Sequence, residues 1–216
     1  MRTLALTALL LASGTAQAIQ RPEVPVMSDD EIAATLQPGE EIENRVDGDL
    51  NGDGDIDTVW IARGEDKRFL HVQFAARGEF DLYHEPAGSA ELDPYPLGSA
   101  EMTISKGVLV VKDLTGGTTA VSATYRFRGE KTTPKMRLIG LDATLYSRTW
   151  AHDGAELSWN LLTGDVIATK MKLVGSGENA NYDKSAVKRF KRPVKTTYME
   201  DTPSAEETLD MAMKGK

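Results

Sequence analysis

The nine residues AVSATYRFR (residues 120–128) decide the fold class, because apolar and polar side chains alternate along them. In an extended chain, successive side chains point to opposite faces. One face would carry Val121, Ala123, Tyr125 and Phe127, and the other Ser122, Thr124, Arg126 and Arg128. The pattern therefore predicts a β-strand with one buried face and one solvated face.

Short segments of similar character lie on both sides of this strand, separated by Gly, Asp and Pro. Their spacing of roughly 8–12 residues, with turn signals between them, indicates an all-β domain. The other predicted strands are TVWIA, RFLHVQFA, EFDLYH, EMTIS, VLVVK, KMRLIGLDATLYSRTW, AELSWNLL and DVIATKMKLV. The stretch HEPAGSAELDPYPLG (residues 84–98), with three prolines and two glycines, is predicted to be a loop.

The N-terminus has the order of a cleavable export signal. Arg2 precedes the apolar run LALTALLLA, and the small-residue motif AQA ends at Ala18. No cysteine follows that could carry a lipid. We therefore expect residues 1–18 to be removed, the mature chain to begin at Ile19, and the protein to be periplasmic or secreted.

Three further regions are expected after the signal. Residues 19–42 form a segment with one short helix, since Ser28 and Glu31 have the spacing of a capping box. Residues 43–197 form the β domain. Residues 198–216 form an acidic tail with a possible short helix, in which Thr202 is a candidate cap and Pro203 the first helical residue.

Composition limits the partners and the sources of stability. The net charge of −8 argues against nucleic acid or an anionic membrane as partner, and is compatible with basic proteins or cations. The chain has no cysteine, so it has no disulfide. Its stability must come from core burial, to which a bound metal could add.

The stretch DGDLNGDGDID (residues 47–57) crowds five aspartates, one asparagine and three glycines into eleven residues. Counted from Asp49, oxygen-bearing side chains fall at positions 1, 3, 5 and 9, glycine falls at position 6, and residue 7 can offer its carbonyl. Ca²⁺ prefers about six to eight oxygen ligands, and the absence of His and Cys argues against zinc or copper. The sequence predicts a structural Ca²⁺ site with the ligands Asp49, Asn51, Asp53, Asp55 and Asp57.

A second register of this loop stays open. Counted from Asp47, position 6 is Gly52, and the ligands would be Asp47, Asp49, Asn51 and Asp55. In the register from Asp49, Trp60 stands at position 12, where an EF-hand has a bidentate glutamate. The loop instead continues directly into the strand TVWIA and resembles the calcium loops of FG-GAP-like β-rich extracellular modules.

No catalytic group of residues emerges from the sequence. The histidines His71, His84 and His152 lie on separate segments, no GxSxG motif is present, and the lack of cysteine excludes a thiol nucleophile. We expect a protein that is not an enzyme. An enzyme whose carboxylates meet only in the fold is a further hypothesis.

Several stretches together resemble exported bacterial β-rich proteins with one calcium loop, a family that includes periplasmic inhibitors of invertebrate-type lysozyme and immunity proteins against secreted peptidoglycan hydrolases. The resemblance lies in DLNGDGDIDTVWI, in GGTTAVSATYRFRGEKTTPKMRLIGLDATLYSR and in ELSWNLLTGDVIATKMK. It implies a small β-propeller-like or sandwich arrangement of antiparallel sheets. It also implies a loop of small polar residues and a tyrosine that enters the cleft of a lysozyme-like hydrolase.

Two segments could supply the inhibitory loop that this resemblance implies. One is the turn TGGTT with the strand after it, and the other is SGENANY. Their candidate contact residues are Gly116, Gly117, Thr118, Thr119, Ser122, Tyr125, Ser176 and Tyr182. The alternative function is an FG-GAP-like structural or adhesive module that binds a polysaccharide or a surface protein.

Overall fold

The computed structural model describes residues 22–215, so the expected export signal and cleavage site lie outside the described residues. The strands are β1 Glu41–Gly48, β2 Asp57–Arg63, β3 Arg68–Arg77, β4 Leu82–Glu91, β5 Glu101–Ser105, β6 Val108–Gly116, β7 Thr119–Gly129, β8 Met136–Ser147, β9 Gly154–Asn160, β10 Asp165–Val174 and β11 Asn181–Lys191. The helices are α1 Asp29–Ala33 and α2 Ala205–Met213, with single 3₁₀ turns at Gly177–Asn179 and Met199–Asp201.

The strands form two antiparallel sheets. The small sheet has the order β1-β2-β3-β4, and the large sheet has the order β11-β10-β9-β8-β7-β6-β5. A common core lies between them, to which the small sheet contributes Ile61 and Val72 and the large sheet Leu109 and Phe127. The all-β prediction is confirmed, with two packed sheets and a short helix near each end.

The helices cover the ends of this core. The capping box of α1 forms as predicted, with Ser28 and Glu31 each bonded to the other's backbone N–H. Ile32 of α1 packs with Trp60 in a small second cluster on the other face of β2. Because β2 is covered on both faces, it reads as a continuous apolar run and does not alternate. No helix within residues 22–215 is long and apolar enough to cross a membrane.

A buried arginine joins the two sheets. The Arg68 side chain on β3 is fully buried and donates to both carboxylate oxygens of Glu43 on β1, at 2.6 and 2.7 Å. Its Nη1 donates to Asp113 Oδ2 on β6 of the large sheet at 2.8 Å. Burial raises the pKa of Glu43, but the hydrogen bonds from Arg68 and from the Ala100 N–H outweigh it, so the net pKa is lowered.

The predicted loop at residues 84–98 was wrong for its first half, because residues 84–91 belong to β4. Pro86 is tolerated there because β4 is an edge strand, where a missing backbone donor breaks fewer ladder bonds. The register also shifts between Val72 and Gln73 on the facing strand. Strands β1 and β11, which the sequence pattern did not predict, are edge strands too.

Two predicted boundaries also differ. The strand predicted to reach Trp150 ends at Ser147, and the cap of α2 is Ser204, which accepts from the Glu207 N–H, so neither Thr202 nor Pro203 opens the helix. The C-terminal residues do not form a free tail. Leu209 and Ala212 of α2 are buried in the common core, and so is Met199 before them.

Candidate functional site

The acidic loop between β1 and β2 is curled by its own side chains. Asp49 accepts from the Gly54 N–H at 3.1 Å and from the Gly52 N–H at 2.7 Å. Asn51 accepts from the Asp53 N–H at 3.0 Å, and Asp53 from the Asp55 N–H at 2.8 Å. Gly54 has φ +88°, a conformation that favours glycine. The side chains at positions 1, 3 and 5 therefore each turn an oxygen towards the inside of one loop.

Arginines outside the loop neutralise two of its five aspartates. Arg77 on β3 donates from Nε and Nη2 to the two carboxylate oxygens of Asp55. Arg45 on β1 pairs with Asp47, which also accepts from the Thr58 hydroxyl at 2.9 Å. Asp47 and Asp55, the two aspartates that pair with arginine, are side-chain ligands only in the register counted from Asp47. The geometry therefore favours the register from Asp49, in which residue 7 offers its carbonyl.

Asp57 is fully buried and anchors the loop to the small sheet. Its Oδ2 accepts from the Leu50 N–H at 2.7 Å, and its Oδ1 from the Ala75 N–H at 3.0 Å. Burial raises the pKa of Asp57 to about 7; the two N–H donors oppose this, and the charges of Asp53 and Asp49 add to it. The two backbone hydrogen bonds of Asp57 therefore hold the loop against the small sheet.

The fit to Ca²⁺ is partial. Within residues 22–215, no three Asp, Glu, His or Cys side chains converge on a point that could hold a metal. Asp49 and Asp53 form no ion pair with the described residues, and Asn51 and the Asp55 carbonyl lie on the same loop. Each carboxylate oxygen has two lone pairs, so its hydrogen bond leaves room for a cation. These four residues would hold the ion, with Asp57 as the fifth ligand.

The segments TGGTT and SGENANY lie at the same end of the large sheet. The connections β6–β7, β8–β9 and β10–β11 all lie at this end, because their strands pair antiparallel in sequence. We call residues 116–119, 148–153 and 175–182 the loop cluster. The acidic loop lies at the other end, where the Leu50 carbonyl approaches Gly107 and Gly129.

His152, in the β8–β9 connection, forms hydrogen bonds with both neighbouring connections, β6–β7 and β10–β11. The Thr119 hydroxyl lies 2.7 Å from His152 Nε2, and His152 Nδ1 lies 2.7 Å from the Asp153 carbonyl. Because a carbonyl only accepts, Nδ1 carries the proton in the neutral ring, so Nε2 accepts from Thr119. The His152 carbonyl accepts from the Tyr182 hydroxyl at 2.9 Å. The Arg148 backbone N–H also donates to the Thr118 carbonyl, at 2.8 Å.

Trp150 is the exposed aromatic residue of the loop cluster. It is 44% exposed, and its ring centroid lies 5.3 Å from that of Tyr182. Its φ of +56° is rare for a bulky residue and costs roughly 1–3 kcal/mol. Ser147 holds this turn, since its buried Oγ accepts from the Ala151 N–H at 2.9 Å and from the Thr149 N–H at 3.3 Å.

Some of the predicted partner-contact residues are exposed and others are not. Gly116 makes the tight turn, because a Cβ there would lie 2.4 Å from the Thr119 carbonyl oxygen. Ser122 and Ser176 are exposed. Tyr125 is buried in the core, where burial raises its pKa to about 12, so its ring does not face a partner.

Sequence reasoning missed Ser147, Trp150 and His152. The signal that could have found them is the polar stretch SRTWAHDG, which interrupts the apolar alternation after LIGLDATLY. The other two histidines lie elsewhere: His71 stacks on Trp60, and His84 Nε2 lies 2.8 Å from the Pro25 carbonyl. The three histidines therefore do not share a site.

Comparison with family models, with curated proteins and with solved structures gave no match to this chain. The function is therefore argued from the residues of the chain itself.

Proposed function

We propose that this chain is an exported binding protein, stabilised by calcium, whose loop cluster blocks a lysozyme-like peptidoglycan hydrolase. The observation that carries the binding role is Trp150, which is exposed, packed against the Tyr182 ring at a tilt and held at φ +56°. Strained backbone persists where the surroundings enforce it, and it concentrates at ligand clamps and active sites. An exposed tryptophan on a rigid support is also the residue type most enriched among energetically dominant interface contacts.

Rigidity of the loop cluster supports insertion into a cleft. Hydrogen bonds join its three connections through His152, Tyr182 and Arg148, as described above. A preorganised loop loses less conformational entropy when it binds than a mobile one. The turn at Gly116 and Gly117 carries no bulky side chain, so its backbone can approach a partner closely.

The choice of a peptidoglycan hydrolase rests on the sequence resemblance and on charge. The chain has a net charge of −8, and hydrolases that act on anionic cell walls are commonly basic. Complementary charge raises the association rate and orients the encounter. The acidic loop, at the opposite end of the large sheet, would hold calcium away from the contact and stabilise the packed sheets.

Trp150 also supports a second candidate, the binding of a polysaccharide. An aromatic face next to a threonine hydroxyl and a histidine can pack on a sugar ring and bond its hydroxyls. In that case the chain would be a structural or adhesive module, and the target would be a glycan and not an enzyme.

A cell-wall lysis assay separates the two candidates. The mature protein from Ile19 onward is added to a panel of lysozyme-type hydrolases, and the same protein is applied to a glycan array. We expect inhibition of one enzyme class, without a glycan preference. Glycan binding without inhibition would support the second candidate, and neither activity at micromolar concentration would refute both.

Two matched variants test whether the loop cluster contacts the hydrolase. Trp150→Ala removes the exposed aromatic residue of the loop cluster, and Leu162→Ala removes an apolar side chain, 42% exposed, in the β9–β10 turn at the opposite end. We expect Trp150→Ala to weaken inhibition by about 2 kcal/mol or more, a loss of at least about 30-fold in affinity, and Leu162→Ala to leave it unchanged. Equal losses would show that the loop cluster is not the contact.

A further inference from the structure

The outer edge of β11 has no neighbouring strand within residues 22–215. β11 ends the large sheet and pairs with β10 alone. The other sheet edges have an element beside them. β1 and β5 lie next to each other, where Asn44 Nδ2 on β1 donates to the Ala100 carbonyl just before β5 at 2.6 Å, and β4 packs against the turn Met199–Asp201. β11 is therefore the open edge of the two described sheets.

One hydrogen bond fixes which backbone groups of β11 face outwards. The Arg192 N–H, just after β11, donates to the Gly164 carbonyl, just before β10, at 2.8 Å. Pairing of β11 with β10 is regular over the preceding residues. In an antiparallel pair, residues alternate between those whose N–H and C=O bond to the partner strand and those whose groups point away from it. The N–H groups of Val187, Arg189 and Lys191 therefore point away from β10.

These outward backbone groups are accessible to another chain. Val187 is 47% exposed, and Arg189 and Lys191 are exposed as well. A row of unpaired N–H and C=O groups on an edge strand can take up an extended segment of another chain as a new strand. Main-chain hydrogen bonds then supply affinity, and the side chains along the edge select the partner.

The charge of this edge decides which partner fits. Residues 184–192 hold five basic side chains and no acidic one, in a chain whose net charge is −8. Two copies of β11 side by side would set cation against cation, and like charges directly opposite each other destabilise a strand pair. Lysines on an edge strand commonly prevent pairing between copies in this way. The same side chains favour a strand that carries carboxylates.

We propose that the open edge of β11 binds an extended acidic segment of a partner protein as an added strand. The backbone of the segment pairs with Val187, Arg189 and Lys191, and its carboxylates lie opposite the two cations. Arg189 forms no ion pair within the described chain. Lys191 pairs with Asp165 at 3.3 Å, but both side chains are more than half exposed, so this pair contributes little and is easily exchanged. The surface is separate from Trp150 and does not depend on the proposed hydrolase.

Amide hydrogen exchange of the full mature protein, followed by NMR, tests the proposal. The probe is a capped peptide in which glutamate and valine alternate over the length of β11, and the control peptide alternates lysine and valine. With the acidic peptide at about ten times its dissociation constant, exchange of the Val187, Arg189 and Lys191 amides should slow about tenfold. The amides of Lys188 and Phe190 face β10 already, so their exchange should change little. The basic peptide should protect none of them.

Three variants separate backbone pairing from charge. Val187→Pro removes one outward N–H and keeps every charge; proline is tolerated at such a position of an edge strand, so the fold should persist while the protection of Arg189 and Lys191 is lost. Arg189→Glu should weaken binding of the acidic peptide about tenfold, because an attractive cross-strand pair becomes repulsive. Lys67→Glu makes the same change of charge at an exposed position of the β2–β3 turn, and should leave binding within about twofold of the native value.

Other occupants of the edge give different results. Protection that appears without peptide and rises with protein concentration would make a second copy of the chain the occupant. Polyphosphate that shifts the β11 signals as strongly as the acidic peptide, with no alternating protection from either, would make the ligand an anionic polymer. Each of these outcomes would overturn the proposal, and so would equal binding of the two peptides or undiminished protection in Val187→Pro.

Discussion

The Tyr182 hydroxyl joins β8 to the β8–β9 connection by two hydrogen bonds, since it accepts from the Ser147 N–H and donates to the His152 carbonyl, both at 2.9 Å. Ser147 in turn holds the turn that carries Trp150. The exposed aromatic residue of the loop cluster therefore depends on a phenol whose two bonded partners lie 35 and 30 residues before it in the sequence.

Tyr182→Phe keeps the ring that packs against Trp150 but removes both hydrogen bonds. Two half-buried backbone groups lose their partner, so we expect the free energy of unfolding to fall by about 1–3 kcal/mol. Urea denaturation measures the change. Tyr95→Phe, at an exposed tyrosine whose hydroxyl has no protein partner in the described chain, is the control and should be neutral. Equal stability of the two variants would mean that the bonds do not hold the loop cluster.

The buried ion pair of Glu43 and Arg68 predicts a pH dependence of stability. The pKa of Glu43 is lowered below 4.5 in the folded state, so its ionised form stabilises the fold at neutral pH. This contribution is fully present above the unfolded pKa and is lost as the pH falls below 4.5 through the folded pKa. Glu43→Gln should lower the free energy of unfolding by about 3–5 kcal/mol at pH 7, because it removes one of the two carboxylates that pair with the buried Arg68.

The difference between native chain and Glu43→Gln should shrink as the pH falls below 4.5. Urea midpoints measured from pH 7 down to pH 3 give both quantities. Asp142→Asn is the control, because its pair with Arg126 is about 40% exposed and should contribute no more than about 1 kcal/mol. A difference that stays constant over this range would show that Glu43 does not ionise differently in the two states.

How far the sequence predicts the fold depends on where each strand lies in its sheet. Strand β7 was read correctly because its two sides face core and solvent in turn. The edge strands β1, β4 and β11 are half-exposed along most of their length, so burial imposes no apolar alternation on them. Proline and glycine in β4, and lysines in β11, then look like loop or tail signals.

The candidate sites also differ in how well the sequence predicts them, according to whether their residues lie close together in the chain. The acidic loop is local, so its spacing alone indicates a cation site. Trp150 depends on contacts between distant segments, and so does the buried pair of Arg68 with Asp113, 45 residues apart. The polar stretch SRTWAHDG marks where the apolar alternation stops, but it does not show which of its residues meet the other loops.

The β5–β6 turn holds a lysine in a strained backbone conformation that a substitution can relieve. Lys106 has φ +52° and Gly107 has φ +71° in a two-residue hairpin turn, where both positions favour Asn or Gly. Lys106→Asn should therefore stabilise the protein by about 0.5–1 kcal/mol. Thermal unfolding measures the gain. Lys131→Asn, in the β7–β8 connection, controls for the lost charge, because Lys131 lines the same surface pocket as Lys106. A gain equal in both variants would trace it to charge and not to backbone conformation.

Calcium should raise the free energy of unfolding of protein stripped of metal. At 100 times the dissociation constant, a ligand that binds only the folded state adds about 2.7 kcal/mol, and extracellular modules often bind at roughly 0.1–1 mM. The melting temperature measured in millimolar calcium and in chelator gives the increment. No increment would refute the calcium site.

Two aspartate variants decide the register of the acidic loop. Asp53→Ala removes the ligand at position 5 of the register from Asp49, and should abolish the calcium increment. Asp47→Ala removes a residue that pairs with Arg45 and is a ligand only in the other register, so it should lower the basal stability but keep the increment. The reverse pattern would place the ion in the register from Asp47. In that case calcium would have to displace Arg77 from Asp55, which would link metal binding to a change in β3.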